Sequence, residues 1–154
     1  MAGQAVAPSI GGALQWTAPA HWQTKTVSSM RRGSYDVPGE NGAVADLSIT
    51  AFPGDVGGEV ANVNRWRSQL QLGPLPEAEA RAAITRVSAH GLAIGVVDFA
   101  NTATPAAERI LGAMVPFGGS TWFFKLKGPD AIVGREKAAF LEFLQTVQAA
   151  PSTP

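Results

Sequence analysis

The sequence predicts an α+β fold in which a central antiparallel sheet of five to seven strands is flanked by helices. Three observations carry this. From Trp122 the side chains alternate, with Trp122, Phe124 and Leu126 on one face and Phe123, Lys125 and Lys127 on the other. That period of two belongs to a strand with one strongly apolar side. Val60, Val63, Trp66 and Leu70 recur every three or four residues, the spacing of one helical face. Short Gly-bearing turns separate the strand-like runs, and strands joined tightly run antiparallel.

Taken in order, residues 1–13 are small, uncharged and rich in Gly and Ala, and read as a flexible lead. A single domain is expected over residues 14–149, followed by a frayed tail at 150–154. Pro19 suits the first position of a short helical turn over 17–22. Residues 29–37 read as a strand, and 38–42 as a hairpin loop. The next strand, 43–52, slips its alternation between Val44 and Leu47, which predicts a bulge near Asp46. A Gly-rich loop at 54–58 then feeds the helix of Val60 to Leu70, which Gly73-Pro74 stops, and 76–81 can add one turn. Residues 84–90 and 92–101 predict two strands joined around Gly91. Residues 109–117 and 121–127 predict a hairpin turned by Gly118-Gly119-Ser120. A closing helix is expected from Asp130, as N-cap, to Ala149, with Phe140, Leu141, Leu144 and Val147 as its apolar stripe.

Composition narrows the function. Charged residues are 16% of the 154 and balance twelve against twelve. No block of Lys or Arg appears, which argues against nucleic-acid binding and against a polybasic membrane patch. No apolar run of about 18 residues exists to form a membrane-spanning helix. The absence of cysteine removes disulfides, thiolate nucleophiles and zinc–thiolate sites. His21 and His90 are the only histidines, and neither has an acid at metal-ligand spacing. Neither a metal nor a cofactor is therefore expected.

Two stretches carry a resemblance: Gly57-Gly58-Glu59-Val60-Ala61-Asn62-Val63-Asn64-Arg65-Trp66-Arg67-Ser68-Gln69-Leu70, and Trp122-Phe123-Phe124-Lys125-Leu126-Lys127-Gly128-Pro129. Through them the chain resembles bacterial PsbP-like proteins, of a lipoprotein-like branch, over residues 14–147. These share the fold of the photosystem II subunit PsbP and of the Ran-binding import factor Mog. The resemblance implies an α/β/α sandwich and a non-enzymatic binding or assembly role with a protein partner. Neither Ran binding nor manganese-cluster support follows, because no motif here carries them. An extracytoplasmic place, periplasmic or membrane-tethered, is expected if a leader has been removed, and a cytoplasmic one otherwise.

The candidate binding residues are Asn62, Asn64, Arg65, Arg67 and Gln69, with Trp22 and Arg32 beside them. One helix carries an unusual density of planar hydrogen-bonding groups, which can grip a carboxylate, a glycan or a partner's backbone. The same groups can instead tie down neighbouring loops. Trp16, His21 and Trp22 can form an aromatic shelf or close the core. Lys125 and Lys127, sharing a strand face with Phe123, can make a cationic surface but read rather as solvated strand lysines. The loop at 54–58 reads as a tight turn rather than an anion cradle, since it lacks the Gly-Lys-Ser/Thr ending of a P-loop. The alternative function is a small hydrolase pairing His21 or His90 with Asp46 or Asp98.

Overall fold

Seven strands form one antiparallel sheet in the computed structural model, which describes residues 12–28 and 30–151. They are β2 (Gln23–Thr24), β3 (Gly33–Pro38), β4 (Val44–Pro53), β5 (Thr85–Ala89), β6 (Leu92–Asn101), β7 (Glu108–Phe117) and β8 (Ser120–Pro129). Their spatial order is β2-β3-β4-β8-β7-β6-β5. Two short strands, β1 (Leu14–Gln15) and β9 (Gln148–Ala149), pair separately. The helices are α1 (Glu59–Gln69), α2 (Glu77–Ala82), α3 (Asp130–Arg135) and α4 (Lys137–Gln145). The fold is α+β, with a mixed complement of helices around an antiparallel sheet.

Strand β8 sits at the centre, between β4 and β7. Gly118 and Gly119, at φ 62° and 80°, make the two-residue turn that returns β7 into β8. Positive φ at both positions matches the twist of a tight hairpin and costs glycine little. In antiparallel pairs, directly opposed residues share a face. Leu47 and Leu111 flank Leu126, while Ile49 and Ala113 flank Phe124. This face packs against Ile132, Val133, Phe140, Phe143 and Leu144 of α3 and α4. The opposite face carries Phe123, Met114, Ile110 and Val97, under Val63, Trp66 and Leu70 at α1 and Ala80 of α2. Trp66 lies flat on the strand at Gly112, where a Cβ would stand 2.4 Å from its ring.

Several expectations need correction. Residues 17–22 form a turn, closed by Trp22 N–H to the Pro19 carbonyl at 3.1 Å, and not a helix. β3 begins at Gly33 rather than at 29, and Ser29 lies outside the described residues. No bulge interrupts β4: its register with β3 runs straight through Asp46, where its ladder with β8 ends. Ala45, not Val44, takes the core side, and Val44 is exposed. The closing helix breaks at Glu136 into α3 and α4, and the chain becomes β9 at Gln148. Phe143 is buried in place of Leu141, which is exposed. Asp130 caps nothing with its side chain and faces Arg109 instead. The flexible lead falls outside the described residues up to residue 11, and the tail from 152. Ala13 is described, and its carbonyl accepts the Ala150 N–H at 2.9 Å, so both residues extend the β1–β9 pairing.

Candidate functional site

Strand alternation on β4 sends Asp46, Ser48, Thr50 and Phe52 to the α1 side of the sheet. Their partners on β8 are Lys127, Lys125, Phe123 and Thr121. On β3, Ser34 and Asp36 oppose Ser48 and Asp46 and so share that side. Apolar packing against α1 and α2 covers β6, β7 and Phe123 of β8. On this side, among the described residues, no helix lies over β3 and the first half of β4. A cleft of about 420 Å³ opens at this boundary, lined by Ser48, Thr50, Phe52, Val56, Arg65, Trp66, Gln69, Phe123 and Lys125.

The floor is aromatic, with Trp66 edge-on to Phe123 at 5.8 Å and Phe52 at 6.2 Å from Phe123. The rim is cationic. Lys125 donates to Gln69 Oε1 at 2.8 Å. Burial, and then the nearby charge of Lys127, lower its ammonium from the usual lysine value, with Asp46 opposing them. Arg65 is held by the Asn62 side chain and reaches toward the Val56 carbonyl at 3.5 Å. Val56 itself stands at φ 52°, a left-handed conformation that a β-branched residue adopts only under strain. Ser48 is 6% exposed, and its hydroxyl has no side-chain partner among the described residues.

Alongside the cleft, Asp36 and Asp46 face each other across β3 and β4, a like-charge pair that needs neutralising. Lys25 bridges them at 2.9 and 3.0 Å. Arg31 grips Asp46 with both nitrogens, each at 2.9 Å. Burial alone would raise the Asp46 carboxyl, but Arg31 and Lys25 outweigh it and hold it below the usual aspartate range. These two cations are thus matched by acids. Arg65, Lys125 and Lys127 have no carboxylate partner among the described residues.

Of the sequence-derived candidates, Arg65 and Gln69 line the cleft, and buried Asn62 orients Arg65. Asn64 exchanges two hydrogen bonds with the Leu75 backbone, at 2.8 and 3.1 Å, fixing the segment after α1. Arg67 donates to the Gly73 carbonyl at 2.7 Å and stacks over Phe99. Trp22 is buried on the other face against Phe143, and Arg32 lies over the Trp122 ring. The loop at 54–58 is a turn in which Asp55 already accepts the Gly57 and Gly58 N–H groups. Sequence reading passed over Ser48, Thr50, Phe52 and Phe123 as site residues and took Lys125 for a solvated lysine. The available signal was three polar residues at every second position of β4 (Asp46, Ser48, Thr50), opposite two lysines.

The histidine–aspartate pairs of the alternative reading do not form among the described residues. Asp98 is bound by Arg109 and Lys137, Asp46 by Arg31 and Lys25, and exposed His90 turns β5 into β6. His21 meets Glu136 instead, at 2.7 Å, on an oxygen that also accepts the Trp22 indole N–H at 2.9 Å.

No family model and no curated protein sequence matches this chain. Solved structures do resemble it. A protein of Bacteroides thetaiotaomicron matches with TM-score 0.56 at 13% identity over 94% of this chain, which spans 47% of that longer protein. LpqN of Mycobacterium tuberculosis, described as involved in cell envelope biogenesis, matches with TM-score 0.56 at 14% identity, covering 90% of this chain and 83% of LpqN. CyanoP, the cyanobacterial PsbP of Synechocystis sp. PCC 6803, matches with TM-score 0.52 at 12% identity, covering 96% and 98%. At such identities the likeness concerns fold alone, and the fold of this chain is PsbP-like.

Proposed function

We propose that this protein is a non-enzymatic binding or accessory module that docks a protein partner through the cleft between α1, β4 and β8. The observation that carries the reading is the polar strip of β3 and β4, bridged by Lys25 and Arg31 rather than by a helix, running into an aromatic-floored cleft. Leaving part of a central sheet face without a covering helix forgoes apolar burial, which a folding role alone does not explain. We read the layers as an α/β/α sandwich incomplete on one side, within a single domain over residues 14–149. Arg65, Gln69 and Lys125 contact the partner in this reading, Asn62 presents Arg65, and Asn64 and Arg67 hold the frame. The fold shared with CyanoP and with the envelope-biogenesis protein LpqN supports an accessory role, for which we propose an extracytoplasmic place of work.

The test is a photo-crosslinking amino acid placed at Gln69 in the cleft, at Glu79 on α2, or at Glu142 on α4, with the protein expressed in its native host. A discrete adduct from position 69, absent from 79 and 142, is the expected result. Adducts only from 79 or 142 would refute the cleft as the docking site.

A further inference from the structure

Resting on that docking site, the geometry points to the class of partner: an acidic segment that also carries an apolar or aromatic side chain. Arg65, Lys125 and Lys127 are the three cations on or beside the cleft that lack a described carboxylate partner, whereas the neighbouring Lys25 and Arg31 are matched by Asp36 and Asp46. Positive charge therefore remains in excess where the cleft meets the open strip. Lys125 is half-buried, and among the described residues its charge is offset by Gln69 and the already occupied Asp46. A carboxylate arriving beside it would gain a partly desolvated ion pair, which is worth more than an exposed one.

The chemistry below that rim is different. Phe52, Trp66 and Phe123 form an apolar floor that a carboxylate alone cannot use. Buried Ser48, next to the lysine, offers a hydroxyl with no described partner. A ligand that satisfies all three features has acids spaced along an extended backbone and a ring between them. The cleft lies open to solvent, and beyond it the β3 side is closed by Lys25 and Arg31, so the site suits a chain laid along its open side rather than a small acid enclosed on every side.

The test uses three synthetic peptides of alternating residues: glutamate with phenylalanine, glutamine with phenylalanine, and lysine with phenylalanine. They are titrated into the isotope-labelled full chain by NMR. The acidic peptide is expected to shift the amides of Thr50, Gln69 and Lys125, and to bind at least about tenfold more tightly than the other two. Lys125→Gln and Arg65→Gln should each weaken it by about tenfold, roughly one well-placed charge contact, while Arg135→Gln on the other face leaves it unchanged. Equal binding of the glutamine peptide at these amides would overturn the acidic class and leave the docking site standing. Shifts confined to other surfaces, or none at millimolar peptide, would overturn the inference. Loss of the position-69 adduct in cells would instead overturn the docking site itself.

Discussion

The two faces of the sheet are built from the same strands but finished differently. On the face of Trp122, Phe124 and Leu126, helices α3 and α4 and the segment from Leu14 to Trp22 bring apolar side chains over the strands. Trp16 packs edge-on to Trp122 and Phe124, and its indole N–H donates to the Tyr35 hydroxyl at 3.0 Å. On the face of Phe123, Lys125 and Lys127, α1 and α2 reach only part of the way across, and β3 and β4 present charge. The difference teaches that a sheet face can be completed by burial or left as a surface, and that the polar content of its alternation records which.

The sharpest way to break the comparison is to truncate one residue on each face at neighbouring positions of β8. Phe124 is fully buried, so Phe124→Ala is expected to cost about 3–5 kcal/mol in denaturant unfolding. Lys125→Ala should cost less than about 1 kcal/mol, as at an ordinary surface site. Equal costs would show that both faces are sealed. Next in size is Gly112→Ala, which pushes a methyl into the Trp66 ring and should cost about 1–3 kcal/mol by overpacking. Faster amide exchange in α1, without a change in α4, would localise that damage to the half-covered face.

The sealed face should also carry its own acid sensitivity. Burial alone would raise the Glu136 carboxyl, but the Trp22 indole and His21, with Arg135, outweigh it and hold it below its usual value of 4.5. A carboxylate lowered in the folded state contributes stability fully above its unfolded value, and loses that contribution as pH falls through the folded one. Glu136→Gln should therefore destabilise most above pH 4.5, with the gap to the parent protein closing on acidification below it. A gap that stays constant across that window, followed by chemical denaturation, would detach Glu136 from the acid response.

The smallest effect has the opposite sign. Lys125→Met removes a charge whose burial disfavours it, and should stabilise the fold by about 0.5–1 kcal/mol while weakening acidic-peptide binding by about tenfold. Gain of stability with loss of binding is the signature of a residue kept for contact rather than for folding. Loss of both would return Lys125 to a structural role.

Much of this architecture could be read from local pattern. Trp122, Phe124 and Leu126 announced the buried side of β8, and Val63, Trp66 and Leu70 the buried side of α1. Gly91 and Gly118-Gly119 marked their hairpins correctly. Legibility failed where local pattern was ambiguous or was overridden. Val44 is the larger apolar residue beside Leu47, yet Ala45 fills the core position and needs no bulge. The helix expected from Asp130 to Ala149 held good local periodicity, yet Glu136 leaves its carboxylate on Trp22 and His21 at the break between α3 and α4. The site was half legible: Arg65 and Gln69 stood out on their helix, while Ser48, Thr50 and Lys125 did not.

What the sequence determined alone is the set of elements and the buried side of the best-patterned ones, because periods of two and of 3.6 are properties of adjacent residues. Only the tertiary structure decided which strands became neighbours, where α1 stopped covering the sheet, and which charges were left without a partner. Asp46 meets Lys127, and Ser48 meets Lys125, across more than seventy residues of chain, through the register of β4 against β8. No local pattern encodes that distance, so the cleft exists only once the sheet order has been chosen.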